Sequence, residues 1–349
     1  MLAFAAAALP LHAAPPAADD FAHQAQRLLE QTYAADAPGA VVLVARGDTV
    51  LWRAARGSTE TEAGRPLTPN DRFHIGSLTK QMAAVGLLKL VEAGKVSLDD
   101  TLARYVPDIP NGDRIVVAQL LNHTSGISGL PDMAQTPPGL LPLQASTDAL
   151  INAFKNQAPA FAPGERFAYN DSGYILVGKI IESASGKPWH AYLEETLFRP
   201  LGMRDTCYCT GPSIVSGYAQ REGRVRRVAP NITWEHAAGA LVSTLDDLLK
   251  WNRALHEGRV LTPATYQQLV TPRGPVGNYG FGIDHGPLNG REQLSHSGSV
   301  PGHAAHLLYL PGPGLTVALL RNRNDGREYE ALARLARQFA AMALGEPAP

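Results

Sequence analysis

Cysteine is nearly absent from this chain of 349 residues, which contains only two. Two cysteines exclude a scaffold held by several disulfides and the common cysteine-based zinc sites. Cys207 and Cys209 are one residue apart, so in an extended segment they point to the same face, where so short a disulfide would be strained. We therefore expect two unbonded small side chains beside a turn, with a strained redox-active bond as the alternative.

Net charge is also nearly absent, because 31 Lys and Arg residues face 32 Asp and Glu residues and the pI is near 6.8. This balance excludes the net positive charge that is typical of a general nucleic-acid-binding protein. The 27 Pro and 33 Gly residues have no collagen-like period. The composition is 45% hydrophobic and 18% charged, which argues against intrinsic disorder. The chain is long enough to bury a hydrophobic core without disulfides or structural metal ions. We expect a soluble globular protein.

Long hydrophobic runs are missing except at the N-terminus, where residues 1–14 are almost all apolar. This run is shorter than the roughly 20 residues that span a bilayer, and it is typical of the apolar region of a secretory signal. No Lys or Arg precedes Arg27, so the basic start of such a signal is missing. We predict a leader over residues 1–18 and a periplasmic or secreted protein without a stable membrane span, with a disordered Ala/Pro-rich tail as the alternative.

The hydrophobic pattern places strands at both chain ends and helices between them. It predicts a helix over 21–33, a β-hairpin over 40–52 and a helix over 77–93 that is apolar almost all round and therefore buried. It further predicts a mostly helical stretch over 96–251, strands at 279–284, 302–310 and 314–322, and a final amphipathic helix over 328–344. The predicted fold class is α/β (α+β): an antiparallel sheet from both chain ends, flanked by helices, with an inserted mostly helical region. We expect one catalytic domain over 19–349, its α/β part at about 21–75 and 275–345 and its helical part at about 76–250.

The clearest chemical signal is Ser77-Leu78-Thr79-Lys80 at the head of the predicted buried helix. Residues three apart on a helix share a face, so the Lys80 amine can reach the Ser77 hydroxyl. A serine needs a base to become a nucleophile, and burial lowers the pKa of a lysine towards the range where it can act as one. Unpaired N–H groups in the first helical turn favour an oxyanion beside Ser77.

Five segments that contain this motif resemble the serine β-lactamase and penicillin-binding-protein superfamily, most closely its class C β-lactamase, DD-peptidase and esterase branch. The resemblance runs in order from about residue 40 to residue 322. The segments are Ser77-Leu78-Thr79-Lys80, Leu120-Leu121-Asn122-His123-Thr124-Ser125-Gly126, Tyr169-Asn170-Asp171, Ala238-Gly239-Ala240-Leu241-Val242-Ser243-Thr244 and His296-Ser297-Gly298-Ser299 with Pro301-Gly302-His303.

The resemblance implies a role for each residue that matches a motif. Ser77 matches the acylated nucleophile and Lys80 its partner base. Tyr169 matches a tyrosine that shuttles protons between nucleophile and leaving group, and His296 stands where many members have the Lys of Lys-Thr-Gly. The backbone N–H groups of Ser77 and Ser299 would form the oxyanion hole.

Two of these positions depart from the usual pattern. Asp171 replaces an Asn and cannot donate the hydrogen bonds of an amide, but it can hold Lys80 charged, which shifts the base role towards Tyr169. His296 replaces a Lys, and a mostly neutral imidazole attracts a substrate carboxylate less strongly. We assign five residues to substrate binding: Asp171, Ser297, Gly298, His303 and Asn122.

The sequence thus predicts a serine hydrolase that forms an acyl-enzyme on Ser77 at an amide, β-lactam or ester carbonyl, without metal or cofactor. A β-lactamase-related DD-peptidase or esterase is favoured. The alternatives are a non-catalytic penicillin-recognition domain and a true class C-type β-lactamase. The expected partner is a small-molecule or peptide substrate and not a nucleic acid, while the oligomeric state is left open. Gly-x-Ser-x-Gly, His-Glu-x-x-His and P-loop motifs are missing.

Overall fold

The structure, a computed structural model, describes residues 18–60, 64–130, 144–211, 213–275, 277–326 and 328–349. Its helices are α1 (Ala18–Thr32), α2 (Thr79–Glu92), α3 (Val117–Leu121), α4 (Thr147–Phe154), α5 (Ser172–Ser185), α6 (Trp189–Leu193), α7 (Ile232–Gly239), α8 (Leu245–His256), α9 (Pro263–Val270) and α10 (Glu328–Leu344). Its strands are β1 (Ala40–Arg46), β2 (Thr49–Arg56), β3 (Phe73–His74), β4 (Gly217–Arg221), β5 (Arg224–Val228), β6 (Val242–Ser243), β7 (Asp284–Leu288), β8 (Arg291–Val300), β9 (His303–Leu310) and β10 (Leu315–Arg321).

The main sheet joins the two ends of the chain. Its strand order is β2-β1-β10-β9-β8-β7, and all its neighbours are antiparallel. The N-terminal hairpin is held by β1 against β10, with Ala40 opposite Arg321. This arrangement confirms the predicted fold class, an antiparallel sheet from both ends with a mostly helical region between them.

Each face of the sheet buries its own core because side chains alternate along a strand. On β1, Val42 and Val44 face a core that includes residues of α1 and α10 such as Phe21, Leu29 and Phe339. Val41 and Leu43 on the same strand face the larger core with the inserted helices. The sheet is therefore the middle of three layers.

Helix α2 lies in the centre of the larger core. Its residues from Thr79 to Leu88 are all buried, as expected for a helix that is apolar on every side. Lys80, in its first turn, is fully buried with them. A buried lysine requires partners, and these form the site described below.

One predicted strand was wrong in position, and one strand of the sheet was not predicted. Residues 279–284 form a tight turn, in which Gly280 donates its N–H to Ile283, and β7 begins only at Asp284. Strand β8 has no apolar alternation because it carries the run Ser295 to Ser299, so the pattern did not reveal its length. The middle region also contains a β4–β5 hairpin that carries Arg221, Arg224, Arg226 and Arg227.

The expectation that Cys207 and Cys209 are unbonded was also wrong, since they form a disulfide. Cys207 pairs through its backbone with Val242, so this segment is extended and its alternate side chains point to one side. The two Cα atoms are 5.4 Å apart, within the usual range for a disulfide.

Across the described ranges, no helix combines the length and the apolar character that a membrane crossing needs. The predicted leader, apart from residue 18, lies outside the described residues.

Candidate active site

Ser77 lies in a short 3-10 turn, Gly76–Leu78, that leads into α2, so it precedes the α-helix in which we predicted it. Side chains three residues apart on such a turn lie over one another. The Lys80 Nζ atom therefore donates a hydrogen bond of 3.0 Å to Ser77 Oγ. The proximity that the Ser-x-x-Lys spacing predicts is present.

Two glycines allow β8 to approach this turn. A Cβ atom on Gly298 would lie 1.9 Å from the carbonyl oxygen of Ile75, and one on Gly76 would lie 2.5 Å from the Ser299 backbone nitrogen. Gly76 also has φ +53°, which favours glycine. Only residues without side chains permit this contact, which brings the Ser299 backbone next to the segment that carries Ser77.

All three protons of the Lys80 ammonium have acceptors. They are Ser77 Oγ at 3.0 Å, Asp171 Oδ1 at 2.6 Å and the backbone carbonyl of Ala238 at 2.9 Å. Burial lowers the pKa of Lys80, but the charge of Asp171 and the neighbouring Tyr169 raise it more, so the net pKa is above its ordinary value. Lys80 is therefore a cation in the resting site, stabilised by the carboxylate that replaces the usual Asn.

The carbonyl that holds Lys80 belongs to an interrupted helix. His236 in α7 has φ +43° and ψ −142°, two residues before Ala238. Non-glycine residues rarely adopt positive φ, and they retain it where the surroundings demand it. His236 is buried, and its Nε2 atom lies 3.0 Å from Thr147 Oγ1.

Tyr169 is presented by the loop before α5. Asn170 holds this loop with its side chain, which donates to the carbonyl of Ile127 at 3.1 Å and accepts from the N–H of Gly173 at 2.9 Å. The Tyr169 ring lies 4.2 Å from the His123 ring and 4.7 Å from Lys80 Nζ, measured to the ring centre. Burial raises the pKa of Tyr169 despite the nearby Lys80 charge, so its phenol is protonated at neutral pH.

His296 is buried between two hydrogen-bond partners. Its Nδ1 atom lies 2.7 Å from the carbonyl oxygen of Ser297, and its Nε2 atom lies 2.8 Å from the hydroxyl of Tyr279. Because a carbonyl only accepts, Nδ1 carries the proton and Nε2 accepts from Tyr279. Burial, with a smaller effect of the Lys80 charge, lowers the pKa of His296 to about 4. The imidazole is neutral at neutral pH.

A cavity of about 510 Å³ opens in front of these groups. Seven predicted residues line it: Ser77, Tyr169, Asp171, His296, Ser297, Gly298 and Ser299. Ser297 Oγ lies 2.9 Å from His306 Nδ1, and Ser299 Oγ accepts from Asn324 at 2.8 Å. The structure thus brings the predicted nucleophile, lysine, tyrosine and histidine to one place.

Asn122 and His303, both assigned to substrate binding, are not among the described residues that line this cavity. Asn122 is buried and accepts a hydrogen bond of 2.7 Å from Thr124 Oγ1. His303 is buried against Phe73 and His74, with ring centres 6.1 and 5.1 Å away. Their side chains stabilise loops and the packing of β9 against β3, so the structure does not support a substrate contact for either.

The residue pattern did not reveal four further groups at the site. Phe167, Asp284 and Tyr329 also line the cavity, and Tyr279 holds His296 from behind. The glycines that follow Tyr279 are a turn signal in the sequence, but we interpreted 279–284 as a strand. Nothing in the sequence around Tyr329 distinguishes it from the rest of an amphipathic helix. Among the described residues, no group of three or more His, Cys, Asp or Glu side chains is placed to hold a metal ion.

Comparison with known proteins agrees with this geometry. A family profile described as Beta-lactamase matches residues 25–341. Penicillin-binding protein 4* of Bacillus subtilis is 29% identical over 318 residues, which cover 83% of this chain and 69% of that protein. A D-aminopeptidase of Gluconobacter oxydans is 26% identical over 322 residues, which cover 89% of this chain and 59% of that protein. The chain therefore spans about 60–70% of the length of these relatives.

A solved structure is similar over nearly the whole chain. The D-amino acid amidase from Ochrobactrum anthropi SV3 superposes with a TM-score of 0.78 at 26% identity, covering 90% of this chain and 99% of that one.

Proposed function

This chain belongs to the β-lactamase family of serine hydrolases, and we propose that it is an amidase or peptidase that forms an acyl-enzyme on Ser77, with esters as further substrates. The observation that carries the proposal is the hydrogen-bonded chain from Ser77 Oγ through Lys80 Nζ to Asp171 Oδ1, with distances of 3.0 and 2.6 Å. These hydrogen bonds begin and end at side chains that line a cavity large enough for a small substrate.

Acylation begins with the loss of the Ser77 proton. Lys80 is already protonated, so it accepts this proton only as it passes one of its own to Asp171. Ser77 Oγ bonds to the substrate carbonyl carbon while the C=O π electrons move to oxygen. The resulting oxyanion is stabilised by the N–H groups of Ser77 and Ser299, a type of donor whose loss costs about 10²–10³ in rate.

Collapse of this intermediate breaks the bond to the leaving group. The Tyr169 phenol is protonated and lies beside Lys80, so it is placed to give its proton to the departing amine or alcohol. The phenolate then recovers a proton from Asp171 through Lys80. Water hydrolyses the ester by the reverse sequence, with Tyr169 and Lys80 moving its protons.

The charge of the cavity supports a substrate other than a typical β-lactam. A β-lactam presents a carboxylate, which a cationic lysine at the position of His296 would attract. Here the imidazole is neutral because its pKa is about 4, and Lys80 is neutralised by Asp171. No Lys or Arg side chain is among the described residues that line the cavity. The relatives named for D-aminopeptidase and D-amino acid amidase activity point to derivatives of D-amino acids.

We also propose that the protein is exported to the periplasm or secreted, and that residues 19–349 form one catalytic domain. Export is supported by the apolar run over residues 1–14. N-terminal sequencing of the protein recovered from the cell envelope fraction tests it, because an unprocessed start would contradict a cleaved leader.

The test of the mechanism uses covalent labelling and turnover together. Ser77→Ala removes the nucleophile and is expected to abolish labelling by a fluorescent fluorophosphonate as well as hydrolysis of a D-amino acid amide, a D-Ala-D-Ala peptide and a p-nitrophenyl ester. Lys80→Met is expected to slow labelling by about 10²–10⁴, the usual contribution of a proton-transfer group.

A matched control is Ser185→Ala, which removes a serine hydroxyl outside the cavity and is expected to label like the wild type. Circular dichroism shows whether each variant is folded. Turnover of all three substrates by folded Ser77→Ala at the wild-type rate would exclude the acyl-enzyme mechanism. Labelling without turnover in the wild type would instead favour a penicillin-recognition domain.

A further inference from the structure

Asp284 is a carboxylate in the active-site cavity to which the mechanism assigns no role. It is the first residue of β7, and its register partner Ser295 is followed on β8 by His296. This is the last residue pair between the two strands, so β8 is not paired with β7 after Ser295. Asp284 therefore lies where the edge of β8 becomes open to the cavity, and its side chain is part of the cavity wall together with Ser77.

The turn before Asp284 is fixed against the start of α2. Gly282 has φ +74°, and a Cβ atom there would lie 3.0 Å from the backbone of both Lys80 and Gln81. This close contact places Asp284, two residues later, near the helix turn that carries the nucleophile. Its position is set by backbone packing, and a substrate bound at Ser77 would lie within reach of it.

The charge of Asp284 is not compensated within the described parts of the chain. Its carboxylate forms no ion pair and accepts no hydrogen bond from the described residues, whereas Asp171, the other carboxylate of the cavity, is paired with Lys80. Burial raises the pKa of Asp284 to about 6, so it is mostly ionised at pH 7. A partly buried anion without a partner favours a ligand that brings a positive charge.

The remaining walls also suit a cation. Phe167, Tyr169 and Tyr329 line the same cavity and offer aromatic rings, whose faces attract an ammonium group. His296 is neutral and adds no positive charge.

We propose that Asp284 binds the free ammonium group of the substrate and so selects amino acid amides, or peptides with a free N-terminus, over their deaminated or acylated counterparts. This inference rests on the proposed amidase function and names the substrate class for that site. Asp284 acts as a specificity-determining residue: it contacts the substrate's amine and takes no part in bond making or breaking.

The test measures binding by protection of Ser77 from a fluorophosphonate at pH 7, with three probes. These are phenylalaninamide in both enantiomers, 3-phenylpropanamide, which lacks the amine, and N-acetylphenylalaninamide. In the wild type we expect the better phenylalaninamide enantiomer to protect at a concentration about 10- to 100-fold lower than the two uncharged probes, as for a hydrogen bond between charged groups.

Asp284→Asn is expected to remove this difference, so that all three probes protect at similar concentrations; the comparison is made among the probes within the variant, so its own labelling rate does not enter. Asp113→Asn, which removes an exposed carboxylate outside the cavity lining, should retain the wild-type preference. Equal protection by all three probes in the wild type overturns the inference, even if Asp284→Asn does not fold. A preference that persists in folded Asp284→Asn also overturns it. Failure of the wild type to label at all refutes the proposed function, and the inference falls with it.

Discussion

Replacing Asp171 by Asn removes the one carboxylate that the described residues place on Lys80, and it changes almost nothing in side-chain shape. Lys80 has no solvent exposure, while the Asp171 side chain is 47% exposed. The substitution therefore leaves a buried ammonium whose acceptors are all neutral: Ser77 Oγ, the Ala238 carbonyl and the amide oxygen of the new side chain. We expect a folded protein that is less stable than the wild type.

The size of the loss follows from burial. Removing one partner of a fully buried ion pair costs about 3–5 kcal/mol, because the other charge remains without compensation. Exposure of Asp171 means that water already screens the pair from one side, and exposed pairs contribute only about 0–1 kcal/mol. An intermediate value of about 2–3 kcal/mol in the free energy of unfolding at pH 7 is expected.

The loss should depend on pH, with opposite behaviour in the two proteins. In the wild type the pKa of Lys80 is raised, so its stabilising contribution is complete below about 10.4, the unfolded value, and disappears only as the pH rises through the higher folded pKa. Without Asp171, burial is the largest influence and the folded pKa falls below the unfolded one. Between these two values the unfolded variant binds more protons, so its stability rises by up to about 1.4 kcal/mol per pH unit.

Urea denaturation at pH 7, 8, 9 and 10 measures both effects. The deficit of Asp171→Asn relative to the wild type should shrink by at least about 1 kcal/mol between pH 7 and pH 10. The double variant Lys80→Met/Asp171→Asn has no ammonium at this position and should show no such change. A deficit that is constant with pH, or smaller than about 0.5 kcal/mol at pH 7, would refute the ion-pair description of the site.

Two further substitutions test the walls of the site. Gly298→Ala places a Cβ atom 1.9 Å from the Ile75 carbonyl oxygen, so β8 must move away from the turn that carries Ser77. We expect fluorophosphonate labelling to slow at least about tenfold and the free energy of unfolding to fall by about 1–3 kcal/mol. The control Gly286→Ala has no atom within 4 Å of its new Cβ and should match the wild type in both assays. Tyr279→Phe leaves the buried Nε2 atom of His296 without a donor and should cost about 1–3 kcal/mol in thermal or urea denaturation; an unchanged midpoint would mean that this hydrogen bond contributes nothing.

The parts of the site that the sequence predicts well are local in the chain. Ser77 and Lys80 are three residues apart, so any helical turn brings them together, even though the turn is 3-10 and not α-helical. Helix α10 was predicted with its observed bounds because one apolar face repeats along 17 residues. Tyr169 and His296 lie far from Ser77 in sequence, and only the resemblance to a family placed them at the same site.

Features that depend on the register of the sheet could not be predicted. Strand β8 contains Ser295, His296 and Ser297, and its polar side chains are satisfied by neighbours such as Tyr279 and His306, so hydrophobic alternation gives no signal there. Asp284 is paired with Ser295, the residue before His296, only because β7 and β8 associate in one register. A one-residue shift of that pairing would turn the Asp284 side chain to the other face of the sheet.

The charges of the site also follow from tertiary contacts that no local pattern reports. The Ser-x-x-Lys motif alone indicates a neutral base, because burial lowers the pKa of a lysine. The structure adds Asp171, from 91 residues away, at 2.6 Å, and the lysine becomes a cation. A cation paired in this way cannot attract the substrate's own anionic group, and the neutral His296 cannot replace it. Among the described residues that line the cavity, Asp284 is then the charged group without a partner. The pairing of Lys80 with Asp171 thus leaves Asp284 to set the charge preference that we propose for the cavity.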